Sequence, residues 1–179
     1  MVYVLLGTGF EETEAIAPVD LLRRAGVEVL TVGLNGSIVF GGHGIGVQAD
    51  ITCDEMDLTA MEMIVLPGGL GGVASIRSSK TAMDAIRFAH ENDLYTAAIC
   101  AGPTVLGDLG ITAGKHIVCY PGCEDGCPEA IVENKSAIID GNVITGTSAG
   151  CAIPFGLALI EALKGKAAAD AVAAQIVIR

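Results

Sequence analysis

Three short apolar runs constrain this chain more than any other feature: V-Y-V-L-L (2–6), M-I-V-L (63–66) and Y-T-A-A-I (95–99). Each lacks polar alternation and is followed within three residues by glycine. Strands of that kind are buried on both faces, and such burial requires helices above and below a mostly parallel sheet.

The segments between the runs fit that plan. Residues 11–25 carry a helical pattern with Glu11, Glu12 and Glu14 in its first turn, where the helix dipole favours acids. Pro18 inside the pattern leaves two options, a bent helix or a separate first turn. After Gly26, V-E-V-L-T-V (27–32) reads as the next strand, and the glycine-rich residues 36–51 as a small hairpin or excursion. An amphipathic helix is expected over 81–92, a strand over 116–119, and a hairpin over 137–146 turning at Asp140-Gly141. A long apolar helix over 149–163 precedes a short C-terminal element. The expected fold class is α/β, a doubly wound sandwich with a mostly parallel central sheet and helices on both faces. One domain should span residues 1–179, with no repeat and no linker.

Composition removes several function classes. Only 4% of residues are aromatic and none is Trp, which leaves no stacking platform for bases. The formal charge of -11, with no basic cluster beyond Arg23-Arg24, opposes binding to nucleic acid or to anionic membranes. The N-terminal residues lack the basic start and long apolar core of a signal peptide, and no apolar run is long enough to cross a bilayer. The reading is a cytoplasmic chain whose six cysteines stay reduced.

In an open parallel sheet, ligands bind beyond the carboxyl ends of the strands. G-T-G-F-E-E-T-E (7–14), L-P-G-G (66–69) and I-C-A-G-P (99–103) all fall at that edge. Cys100 leaves a strand and enters a helix, so unpaired N–H groups should lower its pKa and a sharp turn should strain its backbone, as in a nucleophile elbow. The competing reading is a small packed hydrophobe. Gly68, Gly69 and the amide of Ala101 can supply donors to an oxyanion, or the glycines simply mark a turn. At least two of the three glutamates are expected to be solvated, dipole-favoured acids. One turned inward against Cys100 would have a raised pKa and could shuttle protons.

The segments G-F-E-E-T-E-A-I-A-P-V-D, L-R-R-A-G, V-L-P-G-G and A-I-C-A-G-P, in this order, together with A-L-I-E-A-L-K-G, closely resemble the DJ-one/ThiJ/PfpI superfamily. The similarity is greatest to the branch of the Parkinson-linked protein and its bacterial relatives. The resemblance implies a flavodoxin-like sandwich that forms a homodimer. It implies Cys100 as nucleophile or redox sensor, Glu14 as its carboxylic acid partner, and oxyanion donors around Gly69 and Ala101. Activities attributed to such proteins include conversion of methylglyoxal to lactate, repair of early glycation adducts, peroxide sensing and chaperone activity. In this sequence Tyr120 stands where many members carry a histidine before proline, which favours a two-residue Cys100–Glu14 site over a triad. Tyrosine is a poor base near neutrality. The family often places a residue like His43 so that it reaches the partner subunit's site, so His43 and Tyr120 are accessory candidates. His90 and His116 read as surface and structural residues.

C-Y-P-G-C-E-D-G-C (119–127) is the most unusual stretch. Its cysteines Cys119, Cys123 and Cys127, with Cys151 as a fourth, allow a packed loop, a thiol that resolves oxidised Cys100, or a zinc site. The spacing and Pro121 disfavour zinc. Cys53 has no reading beyond packing or a dimer contact.

Two functions stand against each other. One is a glyoxalase or deglycase-type enzyme acting on a small aldehyde or glycated substrate through Cys100 and Glu14, with no metal and no cofactor. The other is a non-enzymatic oxidative-stress sensor or redox-regulated chaperone, in which Cys100 is oxidised beside protonated Glu14. Proteolysis and amidotransfer are disfavoured, because Ala101 rather than histidine follows Cys100.

Overall fold

Why the apolar runs are buried on both sides is visible in the alternation of their side chains. In the computed structural model, which describes residues 1–178, β1 (Val2–Leu6) turns Val2, Val4 and Leu6 to one core and Tyr3 and Leu5 to another. The strands β6 (Met63–Leu66) and β7 (Tyr95–Ile99) divide the same way, with Val65 and Ile99 in the first core and Ile64 and Ala98 in the second. This is the period-two geometry of a strand placed between two helical layers.

Between β1 and β6 the chain forms α1 (Glu12–Arg24), β2 (Val29–Gly33), β3 (Ile38–Phe40), β4 (Gly46–Gln48) and β5 (Ile51–Thr52). Then come α2 (Leu70–Ser78) and α3 (Lys80–Glu91) before β7, and α4 (Pro103–Asp108) after it. Short strands β8 (His116–Ile117) and β9 (Ile131–Val132) precede the hairpin of β10 (Ala137–Asp140) and β11 (Val143–Gly146). The chain finishes with α5 (Ala152–Lys164) and α6 (Lys166–Gln175).

The central sheet has the order β10-β11-β7-β6-β1-β2-β5, and all its pairs are parallel except β10 with β11. The order reverses beside β1, so the loops after β1, β6 and β7 meet at one edge, where such folds bind ligands. Residues of α1, α5 and α6 build the first core; residues of α2, α3 and α4 build the second. The mostly parallel sandwich expected from the sequence is therefore present.

Several local expectations need correction or choice. α1 runs unbroken through Pro18. Within residues 36–51, Ile38–Phe40 and Gly46–Gln48 form the β3–β4 antiparallel hairpin, with Val39 opposite Val47, and Ile51 begins β5. The strand expected over 116–119 covers only His116–Ile117. The expected helix over 149–163 starts with a tight turn at Ala149–Cys151 and becomes α-helical only from Ala152. Helix α2 was not expected at all, since L-G-G-V-A-S-I-R-S is poor in helix formers. Packing explains it: a Cβ at Gly72 would lie 2.7 Å from the Phe10 Cα, so the small residues let α2 press against the loop after β1. Among the described residues no helix is long and apolar enough to cross a membrane.

Candidate active site

The site begins with backbone geometry. Cys100 directly follows β7 with φ of 65°, in the left-handed region that non-glycine residues rarely occupy. The surrounding chain holds it there: its N–H donates to the Gly146 carbonyl at 3.0 Å, and its carbonyl accepts from the Tyr120 N–H at 2.8 Å. Such strain persists only where neighbours over-determine it, and it clusters at functional sites. The nucleophile-elbow geometry is present.

Glu14 comes from the first turn of α1 and is only 1% exposed. Its N–H donates to the Glu11 carboxylate at 2.7 Å, which caps the helix and fixes where the turn begins. Glu14 Oε2 accepts from the Gly68 N–H at 2.9 Å, and the Ala149 amide also favours its charged form. Glu14 Oε1 is buried with no hydrogen-bond partner of ordinary geometry. Thiol and carboxyl lie on either side of Gly68: a Cβ there would meet Glu14 Oε2 at 2.5 Å and the Cys100 Cβ at 2.7 Å. Gly68→Ala is therefore expected to drive the two side chains apart, lowering turnover and costing on the order of 1–3 kcal/mol through overpacking. A thermal melt and an activity assay on the same preparation check this.

The electrostatics differ from the sequence expectation. Burial raises the Glu14 carboxyl from 4.5 to about 7, opposed by the hydrogen bonds it shares with Cys100 and Gly68. Burial also raises the Cys100 thiol to about 12, and the neighbouring Glu14 carboxylate adds to the rise. A thiol pKa lowered by a helix terminus does not describe this site. Helix α4 begins only at Pro103 and is one and a half turns long, so little dipole reaches the sulfur. The amides of Ala101 and Gly69 do favour a thiolate, but burial and the carboxylate outweigh them. The pair is best described as a dyad, in which the thiol ionises readily only by giving its proton to Glu14.

The other expected residues divide clearly. The amides of Gly69 and Ala101 approach the sulfur, whereas the Gly68 amide is already bound to Glu14 and is not free for an oxyanion. Gly69, with φ of 83°, starts α2, and a Cβ there would lie 2.5 Å from the Gly9 carbonyl. Tyr120 lines the Cys100 cavity, a space of about 270 Å³ bounded also by Glu11, Gly69, Leu70, Ala101 and Cys123. His43 does not line it. Its Nδ1 lies 2.7 Å from Glu12 Oε2 within the same chain, and that hydrogen bond raises its pKa.

Glu11 and Glu12 are not the solvated acids expected. Glu12 is 6% exposed and accepts from the His43 N–H at 2.8 Å, so it fastens the β3–β4 hairpin to α1. Glu11 caps α1 and borders the cavity, a role that sequence reading missed. Three acids in one helical turn are a signal that each could have a separate acceptor task. The amide of Ala149 beside Glu14 has no such signal.

In the cysteine-rich loop, the interaction between the buried Cys119 and Cys127 thiols raises the pKa of Cys119 and lowers that of Cys127. The loop thiols do not converge as a metal site would require. Among the described residues the one group of potential ligands within 4.8 Å of one another is Glu11, Glu12 and His43. Cys53 is buried 4.0 Å from Ser79 Oγ. A separate cavity of about 610 Å³ between β10, α5 and α6 is lined by no cysteine or histidine and by none of the site residues.

Fold and site together define a flavodoxin-like α/β protein with a buried carboxyl beside an elbow cysteine. The chain belongs to the DJ-1/PfpI family, whose model matches residues 1–162. It is 35% identical to Protein dj-1beta of Drosophila melanogaster over 98% of this chain and 95% of that one. A deglycase of Pyrococcus abyssi is 28% identical, over 83% of this chain and 90% of the relative. The solved structure of oxidized Toxoplasma gondii DJ-1 superimposes with a TM-score of 0.93 at 31% identity, covering 98% of this chain and 97% of that one.

Proposed function

We propose that this protein is a cofactor-independent enzyme acting on small reactive dicarbonyls, such as methylglyoxal, and on their early adducts. The observation that carries the reading is the dyad: a cysteine strained to φ of 65° beside a buried carboxyl raised to about 7. Family membership and the Pyrococcus abyssi relative named as a deglycase support it.

The chemistry would run as follows. Cys100 gives its proton to the Glu14 carboxylate, and the thiolate adds to the aldehyde carbon of methylglyoxal. The resulting oxyanion takes up a proton to complete the hemithioacetal. The Gly69 and Ala101 amides hold that oxygen as charge develops on it. Glu14, again as carboxylate, removes the proton from the former aldehyde carbon and returns one to the adjacent carbon through an enediol. The product is a thioester of lactate on Cys100, which water hydrolyses to lactate and free thiol. Methylglyoxal plus water becomes lactic acid, with no net oxidation.

Only the dyad holding a single proton can begin this cycle. The first of its two protons leaves near pH 7, as Glu14 ionises, and the last near 12. The expected kcat/KM therefore rises as pH passes through about 7 and then stays level across the accessible alkaline range. Lactate formation by freshly reduced protein, followed across pH without added cofactor, tests the proposal. No turnover at any pH would overturn it.

A second reading is an oxidative-stress sensor centred on the same cysteine, and the relative solved in an oxidized state favours it. The two readings share a site and differ in turnover. A homodimer belongs to the same proposal, supported by the exposed Ile38, Phe40 and Ile45 on and beside the β3–β4 hairpin.

A further inference from the structure

We propose that Cys123 is the resolving thiol of Cys100: after a hydroperoxide oxidises Cys100, the two sulfurs close a reversible disulfide across the cavity they share. The inference rests on Cys100 being the reactive thiol, and it adds a second modification site that the dicarbonyl chemistry does not use.

Three observations carry it. First, Cys100 and Cys123 both line the cavity of about 270 Å³, and none of the other four cysteines does. Second, two backbone hydrogen bonds tie the segments together: Tyr120 N–H to the Cys100 carbonyl at 2.8 Å, and Cys123 N–H to the Tyr120 carbonyl at 2.9 Å. Third, the turn carrying Cys123 has room to adjust. Gly122 has φ of 94°, and a Cβ there would meet nothing within 4 Å. Cys119 and Cys127 are excluded as resolvers by position, since both are buried, at 5% and 3% exposure, and neither lines the cavity.

The chemistry balances. The Cys100 thiolate, its proton held on Glu14, attacks the terminal oxygen of the hydroperoxide; the O–O bond breaks, the alkoxide takes the Glu14 proton and leaves as an alcohol, and Cys100 becomes a sulfenic acid. The Cys123 sulfur then attacks the Cys100 sulfur and the S–O bond breaks. The hydroxide leaves as water, taking the Cys123 proton relayed through the Glu14 carboxylate, and Glu14 ends as carboxylate. Two thiols and one hydroperoxide yield one disulfide, one alcohol and one water. A small dithiol returns both cysteines by exchange. A sulfenic acid without a resolving partner continues to sulfinic acid, which dithiols do not reverse.

The test treats reduced full-length protein with hydrogen peroxide at slight molar excess, blocks free thiols, and maps cross-linked peptides by mass spectrometry. The expected result is a Cys100–Cys123 disulfide that dithiothreitol removes, and in Cys123→Ser the loss of that recovery, with sulfinate accumulating at Cys100. Wild-type protein in which Cys100 passes to sulfinate with no cross-link to Cys123 would overturn the proposal, as would a cross-link confined to Cys119 and Cys127. The wild-type map requires no variant to fold. Alkylation of reduced protein by iodoacetamide separates the underlying reading: failure of Cys100 to react would overturn its role as the reactive thiol. Ready alkylation without the disulfide would overturn only the resolving role of Cys123.

Discussion

Replacing Cys100 with serine is expected to lower lactate formation from methylglyoxal by about a thousandfold or more, a loss typical of removing a covalent nucleophile. Serine occupies nearly the same volume and keeps the two backbone hydrogen bonds to Gly146 and Tyr120. The fold should therefore survive, with a circular dichroism spectrum and melting temperature close to those of the wild type. What serine lacks is a proton acidic enough to pass to Glu14, so the dyad cannot generate an attacking anion. A Cys100→Ser protein that retained turnover would remove the thiol from the mechanism.

Glu14→Gln should cost roughly 10²–10⁴-fold in kcat, the usual contribution of a positioned acid/base. The amide oxygen can still accept from the Gly68 N–H, so the loss reflects proton transfer rather than a collapsed site. The same substitution makes a stability prediction with a definite sign. In the folded protein Glu14 titrates near 7 rather than 4.5, so protonation supports the fold fully below about pH 4.5. That support is lost as pH rises through about 7, when a charge must be held in a buried site. Glutamine carries no such charge. The variant should therefore be more stable than wild type at about pH 8, by on the order of 2–3 kcal/mol, and the advantage should shrink towards about pH 5. Melts at the two pH values read it. A difference independent of pH would mean that Glu14 is not buried as an acid. Because the two residues act as one unit, the double variant should lose little more than Cys100→Ser alone.

Dyad and fold were not equally legible. The mostly parallel sandwich follows from hydrophobic runs that require two helical layers, and the β10–β11 hairpin follows from the Asp140-Gly141 turn. Both are consequences of local pattern. Helix α2 escaped because its glycines lower helix propensity while serving contact with the loop at Phe10, a partner distant in sequence. The Gly68 amide was assigned to an oxyanion because nothing in L-P-G-G reveals that Glu14 accepts from it. The hydrogen bond of His43 Nδ1 to Glu12 at 2.7 Å was not legible either, since the two residues lie 31 positions apart.

By itself, then, the order of residues determined that this chain builds a parallel sandwich, that Cys100 sits at the carboxyl edge of the sheet, and that three acids open a helix at the same edge, of which the family resemblance singled out Glu14. Those features depend on periodicity, on glycine stops and on residue type, all of which are local. Only the tertiary structure decided the ionisation of the pair. The cysteine is near a helix start, yet burial and the facing carboxylate govern its proton, because interactions in a buried site outweigh the dipole of a six-residue helix. It also decided which loop cysteine faces the cavity. Cys119, Cys123 and Cys127 are equally spaced in sequence, and only Cys123 shares the cavity with Cys100.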